Sequence, residues 1–291
     1  MKSQSSFQGN SNFGTLYIVP TPIGNLEDIT VRALNTLKQV ELIAAEDTRN
    51  SKKLLNYFEI EKQLISYHEH NKQSRETRLI EMLVDGKDIA LVSDAGMPGI
   101  SDPGYEIVKA AIESEVPVVV LPGANAALCA LVGSGLTSKE FYFYGFLPRK
   151  KKERDKEIDR LRQSQATLLF YESPHRLSET LEYLYTQLGE RQVTLARELT
   201  KKFEEYIRGT LSEVVEWSNT NPTRGEFCIV VEGNKEIESP QQQWWNSLTL
   251  RQHIEHYIEV EGIRSKEAIK KVAEDRKLPK REVYQSYHVN E

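Results

Sequence analysis

The chain has 291 residues, enough for two core-bearing domains and a small appendage. Its 39% apolar and 28% charged content describes a soluble globular protein, and the net charge of −5 argues mildly against a nucleic-acid partner, because phosphate binding rests on Lys and Arg. No run approaches the ~18 apolar residues of a membrane helix, and MKSQSSFQGNSN is polar without a signal-like core, so the expectation is a cytoplasmic protein with a disordered tail over 1–13.

In chain order, short apolar runs alternate with helical periods, the mark of α/β construction. Strands are predicted at 16–20, 42–47, 64–67, 89–94 and 116–122, with helices at 30–39, 51–58, 74–85 and 104–114 between them. Their near-continuous Val, Ile, Leu and Ala content predicts a mainly parallel sheet covered on both faces. A helix of small residues then starts within PGANAALCALVGSGL (122–136). From Phe141 the strands become more β-branched and aromatic: 141–148, 166–173, 192–200, 203–209 and 226–233, with one clear helix at 174–188. The short gap between 192–200 and 203–209 predicts a hairpin and therefore a mixed sheet. A first domain over 14–136 and a second over 137–233 follow.

Residues 234–243 are polar, contain Pro240 and read as a linker. Within 244–291, Ala268, Ile269, Val272 and Ala273 fall at helical spacing. A turn near Lys277–Pro279 and a second helix bearing Val283 and Tyr284 give a helix-turn-helix pattern, with Pro279 near the first helical position. That pattern suits a packing module as well as it suits a nucleic-acid reader. The two cysteines, Cys129 and Cys228, lie in apolar stretches without CxxC spacing and read as buried core thiols.

Four strand-ending loops carry unusual equipment: VPTPIGNLEDIT (19–30), AAEDTRN (44–50), SDAGMPGISDPG (93–104) and LPGANAA (121–127). Open α/β sheets bind ligands at such loops. Neither GxxxxGK[ST] nor GxGxxG is present, so a nucleotide-phosphate cradle and a dinucleotide fold are unsupported. Carboxylates and backbone groups in place of a lysine favour a ligand with a cationic centre, hydroxyls and a small anionic end. S-adenosylmethionine has these features, and other nucleosides or sugars stay open beside it.

PTPIGNLEDIT, AAEDTR, SYHEHN, LVSDAGMPGISDPG, LPGANAA, FYFYGFLP, FYESPHRL, ARELTKKFEEYIRGTL and GEFCIVVEG occur in this order. Together they resemble the bacterial ribosomal small-subunit RNA methyltransferase I family, cytidine 2′-O-methyltransferases of the tetrapyrrole-methylase-like superfamily, over about residues 14 to 288. SDAG…SDPG with YESPHR and ARELTK separates this pattern from corrin and sirohaem methylases. Asn125 stands where a small hydroxyl residue is usual, and Met97 where Thr is.

The resemblance implies an α/β, two-domain tetrapyrrole-methylase-like (class III methyltransferase) fold with S-adenosylmethionine in the cleft between domains. Implied cofactor contacts are Pro20, Gly24, Asp94, Ala95, Gly96, Ile100, Ser101, Ala124, Asn125 and Ala126, then Tyr171, Glu172, Ser173, Ala196 and Gly209. Within the Gly-rich loop, Asp94–Gly96 is expected to meet the cofactor, and Asp102 to cap a helix with Pro103 in its first turn. A homodimer acting on small-subunit ribosomal RNA, free or in the assembled subunit, is implied as well. The rivals are a small-molecule methyltransferase on the same fold and a non-catalytic RNA-binding assembly factor.

Methylating a sugar hydroxyl calls for a base or an alkoxide-stabilising cation. Glu172, His175, Glu198 and Lys201 are the candidates, within a wider set of Glu46, Asp47, His68, His70, Arg176 and Arg197. His68 and His70 would share one strand face, but two ligands without a third make a poor zinc site, and no metal is expected. For RNA phosphates the candidates are Arg49 and Arg176, whose planar forks suit them, and Arg149, Lys150, Lys151 and Lys152. The latter four open a run, 149–162, with eight basic and four acidic side chains. A solvated helix face explains that run equally well. Aromatics in YFYGF and at 183–185 could stack a splayed base, though core packing accounts for most of them.

Overall fold

In the computed structural model, which describes residues 4, 12–235, 245, 247–276 and 278–288, five apolar segments pair side by side: β1 (Leu16–Ile18), β2 (Leu42–Ala45), β3 (Gln63–Ser66), β4 (Ile89–Val92) and β5 (Val118–Val120). Every pairing is parallel, in the order β3-β2-β4-β1-β5. The expected tail over 1–13 lies almost wholly outside the described residues.

Helices cover both faces, which is why the strands are apolar throughout rather than alternating. On one face, Leu79 and Leu83 of α3 (Lys72–Val84) and Ile107 and Ala111 of α4 (Tyr105–Glu113) pack on Leu16, Ala44 and Leu91. On the other, Ala33 and Leu37 of α1 (Val31–Gln39) and Leu55 of α2 (Thr48–Tyr57) pack on Val19, Ile43 and Val92. Capping sets the starts: Thr30 accepts from the Ala33 N–H, and Asp47 from the Arg49 N–H. The Asp47 cap brings α2 forward to Thr48, three residues ahead of the expected start.

The second sheet contains β6 (Phe141–Phe146), β7 (Thr167–Glu172), β8 (Gln192–Arg197), β9 (Glu205–Thr210) and β10 (Phe227–Val231), in the order β6-β7-β10-β8-β9. It is mixed as expected: β6 and β7 run parallel, and the other neighbours, including the β8–β9 hairpin, run antiparallel. One face carries α6 (Lys151–Arg162), α7 (Leu177–Leu188) and α8 (Leu211–Thr220). The other carries α5 (Ala126–Ser134), whose Ala127, Ala130 and Leu131 lie on Leu169, Ala196 and Val230. This close seating explains the small residues of α5. A side chain at Gly133 would collide with the Tyr206 ring.

Two further helices pack here: α6 matches the solvated-helix reading of the 149–162 run, and α8 has no counterpart among the predicted elements. α6 is almost entirely charged, and only Arg154, Ile158 and Leu161 turn inward. α8 starts with a capping box, Thr210 and Glu213, directly at the end of β9. Cys228 is buried, but Cys129 is exposed. It falls on the side of α5 with Leu128 and Val132, away from the second sheet.

Both sheets belong to one compact unit, Met1–Asn234. The expected domain boundary at 137–140 falls between α5 and β6, inside that unit. The linker expected at 234–243 lies mostly outside the described residues.

The other unit, Lys235–Glu291, contains α9 (Leu250–Glu259), α10 (Ser265–Asp275) and α11 (Lys280–His288). Its core joins Ile254 and Tyr257 to Ala268, Ile269, Val272, Ala273 and Val283. α9 is an addition to the predicted helix pair and starts with a Thr249–Gln252 capping box. Pro279 directly precedes α11, and its carbonyl accepts from the Glu282 and Val283 N–H groups. Lys277 lies outside the described residues.

Candidate functional site

The four equipped loops follow β1, β2, β4 and β5, which are adjacent in the sheet. Their carboxyl ends therefore stand in a row, where a crevice opens. Thr21 and Gly96 exchange backbone hydrogen bonds of 2.9 and 3.0 Å, and the Thr21 hydroxyl donates to the Ser93 carbonyl at 3.1 Å. These bonds lock the first loop to the third.

Within that third loop Gly96, Gly99 and Gly104 all have positive φ. A Cβ on Gly104 would stand 2.9 Å from the Gly99 nitrogen, so the loop folds tightly upon itself. Gly104, at φ 156°, is the N-cap of α4 and offers no side-chain cap bond. This corrects the expectation for Asp102. It stands two residues before the N-cap and lines a cavity instead.

That cavity, of about 390 Å³, lies between the loops of the first sheet and the second sheet. The size suits a small organic ligand. Ala95, Gly96, Ile100, Ser101, Asn125 and Ala126 line it from one side, and Tyr171, Glu172, Ser173 and Ala196 from the other. Of the remaining implied contacts, Pro20, Gly24, Asp94, Ala124 and Gly209 are outside the lining. Pro20 packs under Gly123, and Gly24 lies against the Lys201 stem. Asp94 accepts from the Asp47 N–H at 3.1 Å and from Asn50 Nδ2 at 3.0 Å. Gly209 pairs with Val193, further along the hairpin than Ala196, and adjoins Glu213.

Asn125 caps α5, its Oδ1 accepting from the Leu128 N–H at 3.0 Å, which is the service a hydroxyl residue would render. Met97 lines the cavity and packs on the first core. Tyr171 Oη accepts from the Ala127 N–H at 3.2 Å and joins the two halves across the cavity. Burial pushes its phenol up to about 12. Phe146, half exposed, and Ile23, Leu199 and Phe227 complete an apolar wall missed by motif reading, because single apolar residues in a sequence look like core.

The candidate catalytic side chains are largely engaged. Glu172 is 2% exposed. Its Oε1 accepts from the Ser173 N–H at 2.8 Å, its Oε2 from the Thr180 hydroxyl at 2.7 Å, and Arg176 stands 3.8 Å away. Lys201, on the cavity wall, bridges Glu198 at 2.9 Å and Glu226 at 3.0 Å. Glu198 also accepts from the Glu226 N–H, and these bonds lower its carboxyl pKa. Glu198 and Thr200 both have positive φ, so the ARELTK turn holds backbone strain beside the cavity. His175 is exposed and outside the lining.

His68 and His70 are in a turn after β3, not on one strand face, with ring centroids 6.0 Å apart. His68 is tied to Asn71, whose Oδ1 accepts from the His68 N–H at 2.9 Å. Among the described residues no group of three His, Cys, Asp or Glu could hold a metal, and no helix is long and apolar enough to cross a membrane.

Two carboxyls near the loops shift upward. Burial and Asp94 raise Glu46. Asp102 is pushed up to about 7 by burial first, then by Glu46. Asp47 moves the other way, down to about 2, through its hydrogen bonds with Arg49.

The candidate phosphate ligands separate by geometry. Arg49 is exposed but forked onto Asp47 at 2.7 Å. Arg176 turns inward, donating to the Leu147 carbonyl at 3.2 Å. Lys150 and Lys151 are exposed and paired with Glu153 and Asp155. Arg149 and Lys152 are exposed without an ion pair among the described residues. Arg154 is buried between Glu179 and the Tyr183 ring and serves packing.

A model of the Tetrapyrrole (Corrin/Porphyrin) Methylases matches residues 15–215. The chain is 58% identical to Ribosomal RNA small subunit methyltransferase I of Bacillus subtilis, over all of both chains. It is 46% identical to the Synechocystis protein of the same name, covering 94% of this chain and 96% of that one. Among solved structures, a diphthine synthase matches with a TM-score of 0.62 and 16% identity, over 76% of this chain and 90% of its own. A cobalt precorrin-4 methyltransferase matches with a TM-score of 0.57 and 17% identity, over 75% and 94%. At such identities these structures speak for the fold alone. It is the class III methyltransferase arrangement of a parallel and a mixed sheet.

Proposed function

The chain belongs to the ribosomal RNA small subunit methyltransferase I family, within the tetrapyrrole methylases, and we propose that it transfers a methyl group from S-adenosylmethionine to small-subunit ribosomal RNA. The finer reading is 2′-O-methylation of a decoding-region cytidine, by a cytoplasmic homodimer. Full-length identity of 58% to a protein of that name is the observation that carries the methylation of small-subunit ribosomal RNA.

The cavity's donor set fits the cofactor. Ile23, Met97, Ile100 and Phe227 offer an apolar bed for a purine, and Asp102 and Glu172 supply negative potential for a cation. Ala95, Gly96, Asn125 and Ala126 line the loop side. When bound, S-adenosylmethionine supplies an electrophilic methyl on a sulfonium. The chain has to hold the acceptor hydroxyl in line, exclude water and take up the hydroxyl proton. The strained ARELTK turn and the Lys201 clamp fix one wall for this purpose, and the folded Gly-rich loop fixes the other.

The test uses labelled S-adenosylmethionine and small ribosomal subunits lacking the modification. Label at an alkali-resistant cytidine linkage is the expected result. Absence of transfer to both subunits and free RNA would refute the proposal. RNA binding without product would favour an assembly factor, and transfer to a tetrapyrrole would favour the small-molecule rival.

A further inference from the structure

We propose that Asp102 is the catalytic base, the carboxylate that takes the proton from the acceptor hydroxyl as the methyl group is transferred. The inference rests on the methyltransferase reading above. It starts from which groups facing the cavity are free to accept a proton.

Glu172 has both oxygens committed to Ser173 and Thr180. Lys201 is a cation held by two carboxylates, and Glu226 is the exposed one of those two. The Tyr171 phenol and the Cys228 thiol are each pushed up to about 12 by burial, far too high to act near neutrality. Asp102 is left. Among the described residues, no hydrogen bond of 3.5 Å or less from a backbone N–H occupies its carboxylate, and it faces the cavity from a half-buried position.

The local backbone is shaped to put it there. Ser101 takes a left-handed φ of 62°, uncommon for a serine, and so turns the chain between Ile100 and Asp102. The neighbouring strand accommodates this turn. β6 bulges between Phe143 and Gly145, and a Cβ at Gly145 would stand 3.0 Å from the Ser101 hydroxyl. The sequence SDPG therefore resembles a helix cap and serves to present a side chain.

The groups facing Asp102 come from three elements. Glu46, beyond β2, and Asp94, beyond β4, both disfavour its negative form, while the Ser93 hydroxyl favours it. Tyr171 of β7 faces it from the second sheet and is raised in turn by its charge. With burial, these neighbours hold the carboxyl near 7, where a general base works best at physiological pH.

The charge balance of the step favours the same residue. Asp102 as carboxylate opposite a sulfonium makes a neutral pair. The hydroxyl oxygen forms its bond to the methyl carbon, the carbon–sulfur pair departs on sulfur, and the hydroxyl proton passes to Asp102. The products are a neutral thioether, a neutral carboxylic acid and a methyl ether. No net charge is created in the cavity, and no oxidant or further reactant is needed. The proton returns to water when the cavity opens to solvent.

Calorimetry in two buffers of different ionisation enthalpy tests the titration without RNA. At pH 7 the wild type should release about half a proton on binding S-adenosylmethionine, since a cation beside a half-protonated acid expels it. Binding of the uncharged thioether product S-adenosylhomocysteine should release much less. Asp102→Asn should abolish the difference in proton release between the two ligands and weaken S-adenosylmethionine binding at pH 7 by about tenfold or more, the affinity that goes with the expelled proton. On subunits, Asp102→Asn should lower kcat by about 10²–10⁴-fold and remove the acidic limb of the kcat/KM profile. Asp102→Glu, which keeps the acid one methylene further out, should retain proton release and recover part of kcat. It also carries the test if the asparagine variant does not fold. Wild-type turnover in Asp102→Asn would overturn the assignment, as would an unchanged proton release in that variant or, if it does not fold, an Asp102→Glu variant whose proton release shifts in pH while the acidic limb of its kcat/KM profile does not. A wild type that methylates no RNA would sink the functional reading instead, leaving the calorimetric arm to judge Asp102 alone.

Discussion

Glu172 belongs to the YESPHR motif and lines the cavity, yet its geometry is that of a structural anchor. Replacing it with alanine removes the acceptor for the Ser173 N–H and the Thr180 hydroxyl, at 2.8 and 2.7 Å, and the counter-charge of Arg176 at 3.8 Å. Each buried donor left unpaired costs about 1–3 kcal/mol, and breaking a buried pair by removing one partner costs about 3–5 kcal/mol in total. These overlap, so Glu172→Ala should cost about 3–5 kcal/mol. Glu172→Gln keeps the shape. Its amide oxygen can accept from Ser173, and its NH₂ can donate to a rotated Thr180 hydroxyl. Only the attraction of Arg176 is lost, about 1 kcal/mol.

Scanning calorimetry of the full chain is the assay, with methyl transfer measured in parallel. For a unit of this size 1 kcal/mol moves Tm by about 2–4 °C. The alanine variant should therefore fall by about 10 °C, and the glutamine variant by a few degrees. Thr180→Val, which deletes one donor at nearly constant volume, should cost about 1 kcal/mol and couple to Glu172→Ala in a double-mutant cycle. The reasoning fails if Glu172→Gln melts like the wild type and loses turnover a hundredfold or more. The carboxylate would then be acting in the chemistry and not in the frame.

Asn125→Ala should lose the α5 cap and about 1 kcal/mol, while Asn125→Ser should stay within about 0.5 kcal/mol of the wild type, as read by thermal unfolding. His253 is fully buried, stacked on Trp245, and held down at about 4 by burial and Arg276. Its unfolded form takes up a proton near pH 6.5 and its folded form only near 4, so the helical unit should weaken as pH falls through that window, by on the order of 2 kcal/mol. Near-ultraviolet circular dichroism of the full chain should follow the transition, and His253→Phe should flatten the pH dependence. Charge reversal at Arg149 and Lys152 should weaken RNA binding about tenfold and reduce its salt dependence. Reversal at the paired Lys150 and Lys151 should weaken it less, and equal losses in a filter-binding assay would contradict that ranking.

Most of the fold is legible in the sequence because its signals are local. Runs such as LIAA and IALV are apolar on both faces, and a strand buried on both sides requires that. The helices that apolar periodicity does not assign lack such signals. α6 satisfies itself through Lys150–Glu153 and Lys151–Asp155 and buries only three side chains, so no apolar period marks it. At the site, the four loops were legible because glycine and proline announce special backbone. Asp102 was misread for the same reason. SDPG has the composition of a helix cap, and only the left-handed Ser101 and the bulge at Gly145 decide which way the carboxylate faces. Those determinants are 44 residues apart and belong to different sheets.

The electrostatic pattern of the loops acquires a purpose once burial is known. Glu46 and Asp102 are both raised, by burial first and then by negative neighbours, Asp94 among them in each case, an arrangement that is unfavourable in the free protein. Stability alone would have removed it, since a buried apolar side chain costs less than a partly desolvated acid. Arginine would also have relieved it, but the nearby Arg49 is spent on Asp47 and Arg176 on Glu172 and the Leu147 carbonyl. The site is thus built with its cations withheld. A cationic ligand entering the cavity completes the charge balance that the chain leaves open, and binding and proton release become one event. A neutral analogue cannot do this. The difference in affinity between the sulfonium and its thioether should therefore shrink as pH falls below 7 and Asp102 becomes protonated before the ligand arrives.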